Sequence, residues 1–522
     1  MRKQYKNFII YFLVFILVST ITVLMRPNVQ GVDTLWMYAH GKDMIEHGLV
    51  RNTDIFSIHD SFSFLYQKWL MCLLTYIIVN QFGWTGLTIA TNCILLALLL
   101  SMHLLVVKFD RKHLLLNAIM IAICGLELGC YNQLQFRPHM IACLIFVYMF
   151  FNLEKYARGE SVNGVVFHIK FVISSIILMW FHSTMWILYV IVFLPYVCNF
   201  KFVARFLSNI NVYVKEKHYE IKPLCIIMIE MFAAGILNPY GLKQYKYMMT
   251  CITAVGSKYS LVEELQPIPL YSASLLILYC GIALFMFEHI NQRLNEPIYL
   301  PSLYLVIGSV IMPFVSYRLV VYSCLFVSIA FIFQLSYIHN HHLHFTRALW
   351  VVIIFACFLV CGNAYNGKKI SCLIYETPED GIPVDALSTA IDNIYDRTGG
   401  NARIFSTTPH IGSYAIYKGL KPYHDCRQEV YDVNINKAYD VLEEELDIHQ
   451  NGMFRGKSLN DGGLIAIQNE YHFDYYVLTG WYQGDIRVKE AFDEEGITCL
   501  YEGYFEDEPC VWVYSFSDSD PF

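Results

Sequence analysis

Apolar runs of membrane-crossing length recur along this chain, and they constrain it more than any other feature. Eleven are present: Phe8–Met25, Thr85–Val107, Leu114–Cys130, Met140–Phe151, Val165–Phe181, Ser183–Val197, Leu224–Leu237, Leu270–Phe287, Ile298–Phe314, Leu319–Ile338 and Leu349–Ala364. A helix rises about 1.5 Å per residue and the hydrocarbon core is about 30 Å thick, so such runs predict a bundle of transmembrane helices. Composition agrees: 56% of the 522 residues are hydrophobic and 16% charged, where soluble domains carry about a quarter. No segment gathers Lys and Arg into a nucleic-acid face, and no nucleic-acid partner is expected.

The first run follows the basic start "MRKQYK". It is long for a secretory signal and no small-x-small cleavage site follows, so it is expected to stay as the first helix. A further apolar stretch, Phe64–Phe82, has an uninterrupted core only from Trp69 to Val79. That is the length of a helix lying on the membrane surface rather than crossing it. Charge supports this choice. With that stretch on the surface, the connections bearing Lys108/Arg111/Lys112, Lys155/Arg158, Lys201/Arg205/Lys215/Lys217/Lys222, Arg293 and Arg347 all share the side of the basic N-terminus. This is the positive-inside pattern, with the N-terminus cytoplasmic. The opposite face then holds the first loop (residues 26–84), "QFRPHM", "WFHSTMW", "NPYG", "VEELQP", "SYR" and the tail.

The tail differs in kind. Residues 366–522 carry 28 acidic and 12 basic side chains, against 16 and 25 in residues 1–365. Opposite net charges divide the chain into a membrane domain, 1–365, and a water-soluble extracytoplasmic domain, 366–522. In the latter, "ARIFSTT", "KPYHDC" and "FDYYVLT" read as strands, "IGSYAIYKG" and "NINKAYDVLEEELDIHQ" as helices, and "CLYEGYF" with "PCVWVYSF" as a hairpin, a small α/β domain. It has no phosphate-binding glycine loop and no nucleophile elbow. Its cysteines, Cys372, Cys426, Cys499 and Cys510, show no C-x-x-C spacing, which excludes the usual zinc and redox patterns. A Cys499–Cys510 disulfide across the hairpin is an open alternative.

Outside the cytoplasm there is no pool of nucleotide sugars, so a transferase there must draw an activated donor from the bilayer. A polyprenyl-phosphate sugar is the common one. Its use requires a carboxylate to take the acceptor's proton and cations to hold the departing phosphate. Asp33, seven residues past Arg26, and Asp54 are the candidate carboxylates, and Arg137 and Arg318 the candidate phosphate holders. Glu263, His182 and Trp36 are candidates for the acceptor side. Each has a plainer alternative. Asp33 precedes a helical pattern and suits an N-cap, the arginines suit interface anchors, and His182 suits an aromatic belt. Glu127 and Glu230 fall inside apolar runs, where a charge is costly and points to function or to a hydrogen bond from a neighbouring helix.

The spacing Asp33-x-x-Trp36, Gly41, Ile45, Gly48, Asp54-x-Phe56-Ser57 and Trp69-Leu70 resembles the first outer loop of the GT-C superfamily of multi-spanning glycosyltransferases. The chain looks closest to a bacterial branch with a soluble C-terminal domain. "RPH" (Arg137–His139), "NPYG" (Asn238–Gly241), "EELQP" (Glu263–Pro267), "SYR" ending in Arg318 and "HDCRQEVYD" are further points of similarity. The branch tends to carry His where Met37 stands, Asn-x-His-Gly around His182, and Asp-Gly-Arg where this chain has Asp425-Cys426-Arg427.

The resemblance implies a mainly α, GT-C-type fold with surface-lying helices in the first loop, in a bacterial plasma membrane. It also implies a catalytic or acceptor-binding Asp33. The expected reaction moves a sugar, with inversion, from a polyprenyl-phosphate donor to an extracytoplasmic glycan, lipid or protein. No cofactor is required by the sequence, although Asp33 and Asp54 together would suit a divalent cation, Mg or Mn. Two alternatives are a polymerase or ligase of diphosphate-linked glycans and a non-enzymatic glycolipid transporter or flippase. The first would call for an arginine-rich late outer loop, and the second for inverted repeats.

Overall fold

The structure is a computed structural model. It describes residues 32–114, 136–160, 164–209, 219–254, 296–338, 384–505 and 507–517, together with 9, 12, 16, 116–118, 121, 124, 212–215 and 522. In chain order the membrane-related helices are α1 (Val32–His47), α2 (Trp69–Phe109), α3 (Pro138–Ala157), α4 (Gly164–His182), α5 (Ile187–Val197), α6 (Lys201–Asn209), α7 (Lys222–Ala234), α8 (Leu242–Ala254), α9 (Leu300–Val315) and α10 (Val320–Ser336). The tail runs α11 (Val384–Thr398), β1 (Arg403–Phe405), α12 (Pro409–Lys418), β2 (Lys421–Pro422), α13 (Gln428–Val433), α14 (Ile435–Asn451), β3 (Met453–Phe454), β4 (Lys457–Ser458), α15 (Leu464–Tyr471), β5 (Tyr475–Thr479), α16 (Gln483–Glu494), β6 (Tyr501–Phe505) and β7 (Glu508–Tyr514).

The chain divides into two compact units. One takes Met1–Pro27, Thr88–Tyr245 and Val262–Leu373, the other Asn28–Leu87, Lys246–Leu261 and Ile374–Phe522. The sequence boundary at 365/366 lies outside the described residues.

In the first unit α10 is apolar all round, and every residue from Val320 to Leu335 is buried, as expected of a central helix. Phe146 and Phe150 of α3 meet Phe326 of α10 edge-on, at 5.6 and 5.4 Å between centroids. The outer helices instead expose large apolar side chains at helical spacing: Leu96, Leu100 and Leu104 on α2, Val165, Ile169 and Ile173 on α4, Ile307 and Ile311 on α9. Water would not tolerate such stripes; a lipid solvent does.

Among the described residues, three helices are long and apolar enough to cross a membrane: Trp69–Phe109, Pro138–Ala157 and Gly164–Val197. This corrects the expected eleven. Among the described residues several apolar runs fold into shorter helices, such as the 13-residue α7, about 20 Å long. Phe8–Met25, Leu114–Cys130, Leu270–Phe287 and Leu349–Ala364 lie largely or wholly outside the described residues.

Gly164–Val197 is not one rod. Ser183–Trp186 forms a 3₁₀ turn, and Phe171 of α4 touches Phe193 of α5 at 5.1 Å. Residues 22 apart on one straight helix would stand about 33 Å apart, so the chain doubles back, as two separate runs require. Glu230, inside α7, pairs with His168 of α4 at 2.6 Å, which matches the interhelical alternative for that charge. Glu127 lies outside the described residues.

In the second unit the tail builds a five-stranded sheet in the order β2-β1-β5-β7-β6. β1 pairs in parallel with β2 and β5, while β7 runs antiparallel to β5 and β6. Ile404, Val477, Val511 and Val513 bury one sheet face beneath Ile391 and Ile394 of α11 and Ile411 of α12. Every tail strand and helix quoted from the sequence is present. The hairpin disulfide does not form. Tyr501 pairs with Val513 and Gly503 with Val511, so the two cysteines fall out of register. Both thiols are free, Cys499 donating to the Tyr501 carbonyl (3.0 Å) and Cys510 to the Gly503 carbonyl (3.3 Å).

To this tail the second unit adds α1, the loop after it and the start of α2. α1 lies tightly on α2 at Gly41, where a Cβ would come 2.2 Å from the Cys72 carbonyl oxygen. α2 is interrupted at Gly83 (φ 65°, ψ −173°), a backbone conformation that side chains oppose. The break falls at the end of the predicted surface stretch.

Candidate functional site

Residues 52–64 fold back on themselves. Asp54 N–H donates to the Phe62 carbonyl (2.9 Å) and Phe64 N–H to the Asn52 carbonyl (3.0 Å). Within that loop the motif Asp54-x-Phe56-Ser57 is turn chemistry. Asp54 accepts from the Phe56 amide (3.2 Å) and the Ser57 hydroxyl (2.6 Å), and Ser57 accepts from the His59 amide (3.2 Å). An Asp that folds its own backbone this way is a local organiser.

The tail then takes hold of it. Arg427 donates from both terminal nitrogens to Asp54, Nη1 to Oδ1 at 2.7 Å and Nη2 to Oδ2 at 2.9 Å. It also donates from Nε and Nη2 to Asp425, both at 2.8 Å. All three side chains are fully buried. Phe56 and Phe64 lie 5.5 and 5.8 Å from the guanidinium. Two carboxylates around one guanidinium hold the arginine well above its usual pKa and Asp425 below the ordinary carboxylate value. Further staples surround the triad. Asn434 holds both main-chain groups of Ser63 (2.8 and 2.9 Å), the His59 ring donates to the Tyr423 carbonyl (2.7 Å), and the Ile58 amide to Pro422 (3.2 Å). Burial drives His59 down to about 4, so its ring is neutral at pH 7. His424 faces Glu445 at 2.7 Å, off the hydrogen-bond axis, and that carboxylate raises it.

Asp33 lives differently. It sits in the first turn of α1, partly exposed, where a carboxylate is favoured by the helix dipole. Trp36 Nε1 donates to its Oδ1 at 3.2 Å. Lys68 lies 4.7 Å over the Trp36 ring and 3.5 Å from Glu429 of the tail. His40, one turn beyond Trp36, is buried among Trp36, Phe56, Phe64 and Tyr66, and burial lowers it well below its ordinary value. Asp33, Trp36 and His40 therefore line one side of α1, with Lys68 and Glu429 beside them. Lys68, Glu429 and His40 were not singled out from the sequence, although Glu429 lies within the quoted "HDCRQEVYD".

The first unit holds a second cluster. Arg137 is the N-cap of α3 and is buried, and His139 occupies the first turn. His139 meets His182, at the end of α4, edge-on at 4.8 Å, and Tyr322 in the first turn of α10 at 6.0 Å. Arg318, in the 3₁₀ turn Tyr317–Leu319 before α10, is within electrostatic reach of Tyr322. Thr184 bonds His182 Nδ1 (3.0 Å), and Gln244 donates to Ser183 (2.8 Å). The Tyr322 hydroxyl is buried and makes no hydrogen bond among the described residues. Two arginines beside two helix N-termini form a setting that favours an anion. Arg137, Arg318 and His182, predicted separately, thus belong to one cluster, with His139 and Tyr322 added. Glu263 lies outside the described residues.

The strand order reverses at β1/β5, where open α/β sheets usually bind ligands. Here that crevice is filled by the protein itself: buried Asp485 accepts from Thr407 N (2.8 Å) and Oγ1 (2.6 Å), Thr408 Oγ1 (2.8 Å), and Thr479 N and Oγ1 (both 3.0 Å). For a cation, the Asp54 oxygens are committed to Arg427 and Ser57, and no group of three or more His, Cys, Asp or Glu gathers among the described residues. Neither a protein-family model nor a curated protein matches the chain.

Proposed function

We propose that the chain is a GT-C-type glycosyltransferase of the plasma membrane that moves a sugar from a polyprenyl-phosphate donor to an extracytoplasmic glycan, lipid or protein. What carries this is the contrast between the two first-loop carboxylates. Asp54 is sealed in an ion triad, whereas Asp33 is partly exposed at a helix start with an indole donor and a lysine nearby. In the proposed reaction the acceptor hydroxyl gives its proton to Asp33 while its oxygen attacks the anomeric carbon. The bond from that carbon to the phosphate oxygen breaks, polyprenyl phosphate leaves, and the configuration inverts. Arg137 and Arg318 are assigned to the phosphate, with His139 and His182 beside them. Asp54 is given the role of fixing the loop that carries Lys68. The membrane topology is proposed as multi-pass, with Phe64–Phe82 on the surface, the N-terminus in the cytoplasm and residues 366–522 outside.

The test is the purified protein in lipid, offered a panel of polyprenyl-phosphate sugars while free polyprenyl phosphate is measured. Release that is abolished by Asp33→Asn is the expected result. No release with any donor, or full activity in that variant, removes the assignment. Reporter fusions at Lys112 and Phe522 should report opposite sides.

A further inference from the structure

A groove of about 410 Å³ opens on the first unit, walled by Leu194 and Pro195 of α5, Phe200, Phe202 of α6, and Tyr304 and Gly308 of α9. The wall is almost wholly apolar. The hydroxyls on it are used within the protein, Ser309 donating to the Leu305 carbonyl (2.7 Å) and Tyr304 to the Cys198 carbonyl (3.3 Å). Nothing polar is left to bind a sugar or a solvated head, so the occupant must be a hydrocarbon.

α6 lies along this groove and buries none of its own residues. Phe202 and Phe206, one turn apart, are 68% and 62% exposed. Lys201 and Arg205, also one turn apart on the adjoining strip, are exposed as well. A short helix with aromatic and cationic strips belongs at the boundary between acyl chains and headgroups. Its charges are those of a partner for an anionic head, and the groove beside Phe202 is a place for that lipid's tail.

We infer that the groove between α5, α6 and α9 seats one acyl chain of an anionic phospholipid, whose phosphate is held by Lys201 and Arg205. This lipid is neither donor nor acceptor in the proposed transfer, and none of the residues assigned to transfer takes part in it.

The experiment uses the full chain in nanodiscs of phosphatidylcholine with a minor share of phosphatidylglycerol, and reads the lipid retained after release by native mass spectrometry. Phosphatidylglycerol should be retained about thirtyfold above its share, the scale of two basic residues at an anionic surface. The double variant Lys201→Glu/Arg205→Glu should lose that preference while still retaining lipid. Gly308→Leu should lose the retained lipid altogether. A Cβ at Gly308 meets nothing within 4 Å, so the new side chain enters the groove without displacing its wall. Retention in proportion to lipid share by the unaltered chain, or undiminished retention by Gly308→Leu, overturns the inference.

Discussion

Asp33 and Asp54 are the same residue type in the same loop, yet burial and partners give them opposite physical roles. Replacing Asp33 with Asn keeps a hydrogen-bond acceptor for Trp36 and removes only the negative charge. Transfer should fall by at least about 100-fold, the lower range for a general base, with the unfolding temperature unchanged. Asp54→Asn instead removes one of the two counter-charges on a buried guanidinium, and should cost about 3 kcal/mol of stability. Arg427→Lys should be nearly as harmful, because a single ammonium cannot serve two carboxylates bidentately. Thermal unfolding followed alongside turnover separates these outcomes. A Asp54→Asn protein as stable as the parent would mean the triad does not hold the loop.

Among the elements, the break in α2 and the filled crevice of the tail sheet each depend on one residue. Gly83 holds a positive φ with nothing within 4 Å of a Cβ. Gly83→Ala should therefore cost only backbone strain, about 1–3 kcal/mol, seen as a drop in unfolding temperature. Asp485 ties the ends of β1 and β5 to the start of α16. Asp485→Ala strands the buried Thr407 and Thr479 amides, and each unsatisfied buried group costs about 1–3 kcal/mol. Proteolysis of the tail should accelerate sharply in this variant. A stable, protease-resistant Asp485→Ala protein would show that the crevice is not held by that carboxylate.

At the scale of the whole molecule, pH acts on the second unit chiefly through its buried histidines. His59 is near 4 in the folded state and about 6.5 unfolded. Between those values the unfolded chain binds the extra proton, so stability falls as pH drops from about 6.5 to about 4 and is level above. The shift corresponds to roughly 3 kcal/mol, and His40, also lowered, acts in the same direction. His424 is raised, so its contribution is complete below 6.5 and is lost only as pH rises through its raised value. Asp425 and Asp43, both lowered, lose their contributions only below about 3.8. Hydrogen exchange at the Asp54 and Tyr423 amides should therefore quicken on acidification from 6.5, and His59→Gln should blunt that response. The tail's strands and helices were legible in the sequence because period-2 and period-3.6 patterns are local. The membrane character was legible because transfer of apolar side chains depends on composition more than on contacts. The number of crossing helices was not, since run length does not reveal where a helix ends, as α7 shows. Nor was the fate of Asp54, Lys68 and Glu429. Their partners lie more than 350 residues away in the chain, and only folding the first loop and the tail into one unit decides which carboxylate is sealed by an arginine and which keeps contact with solvent.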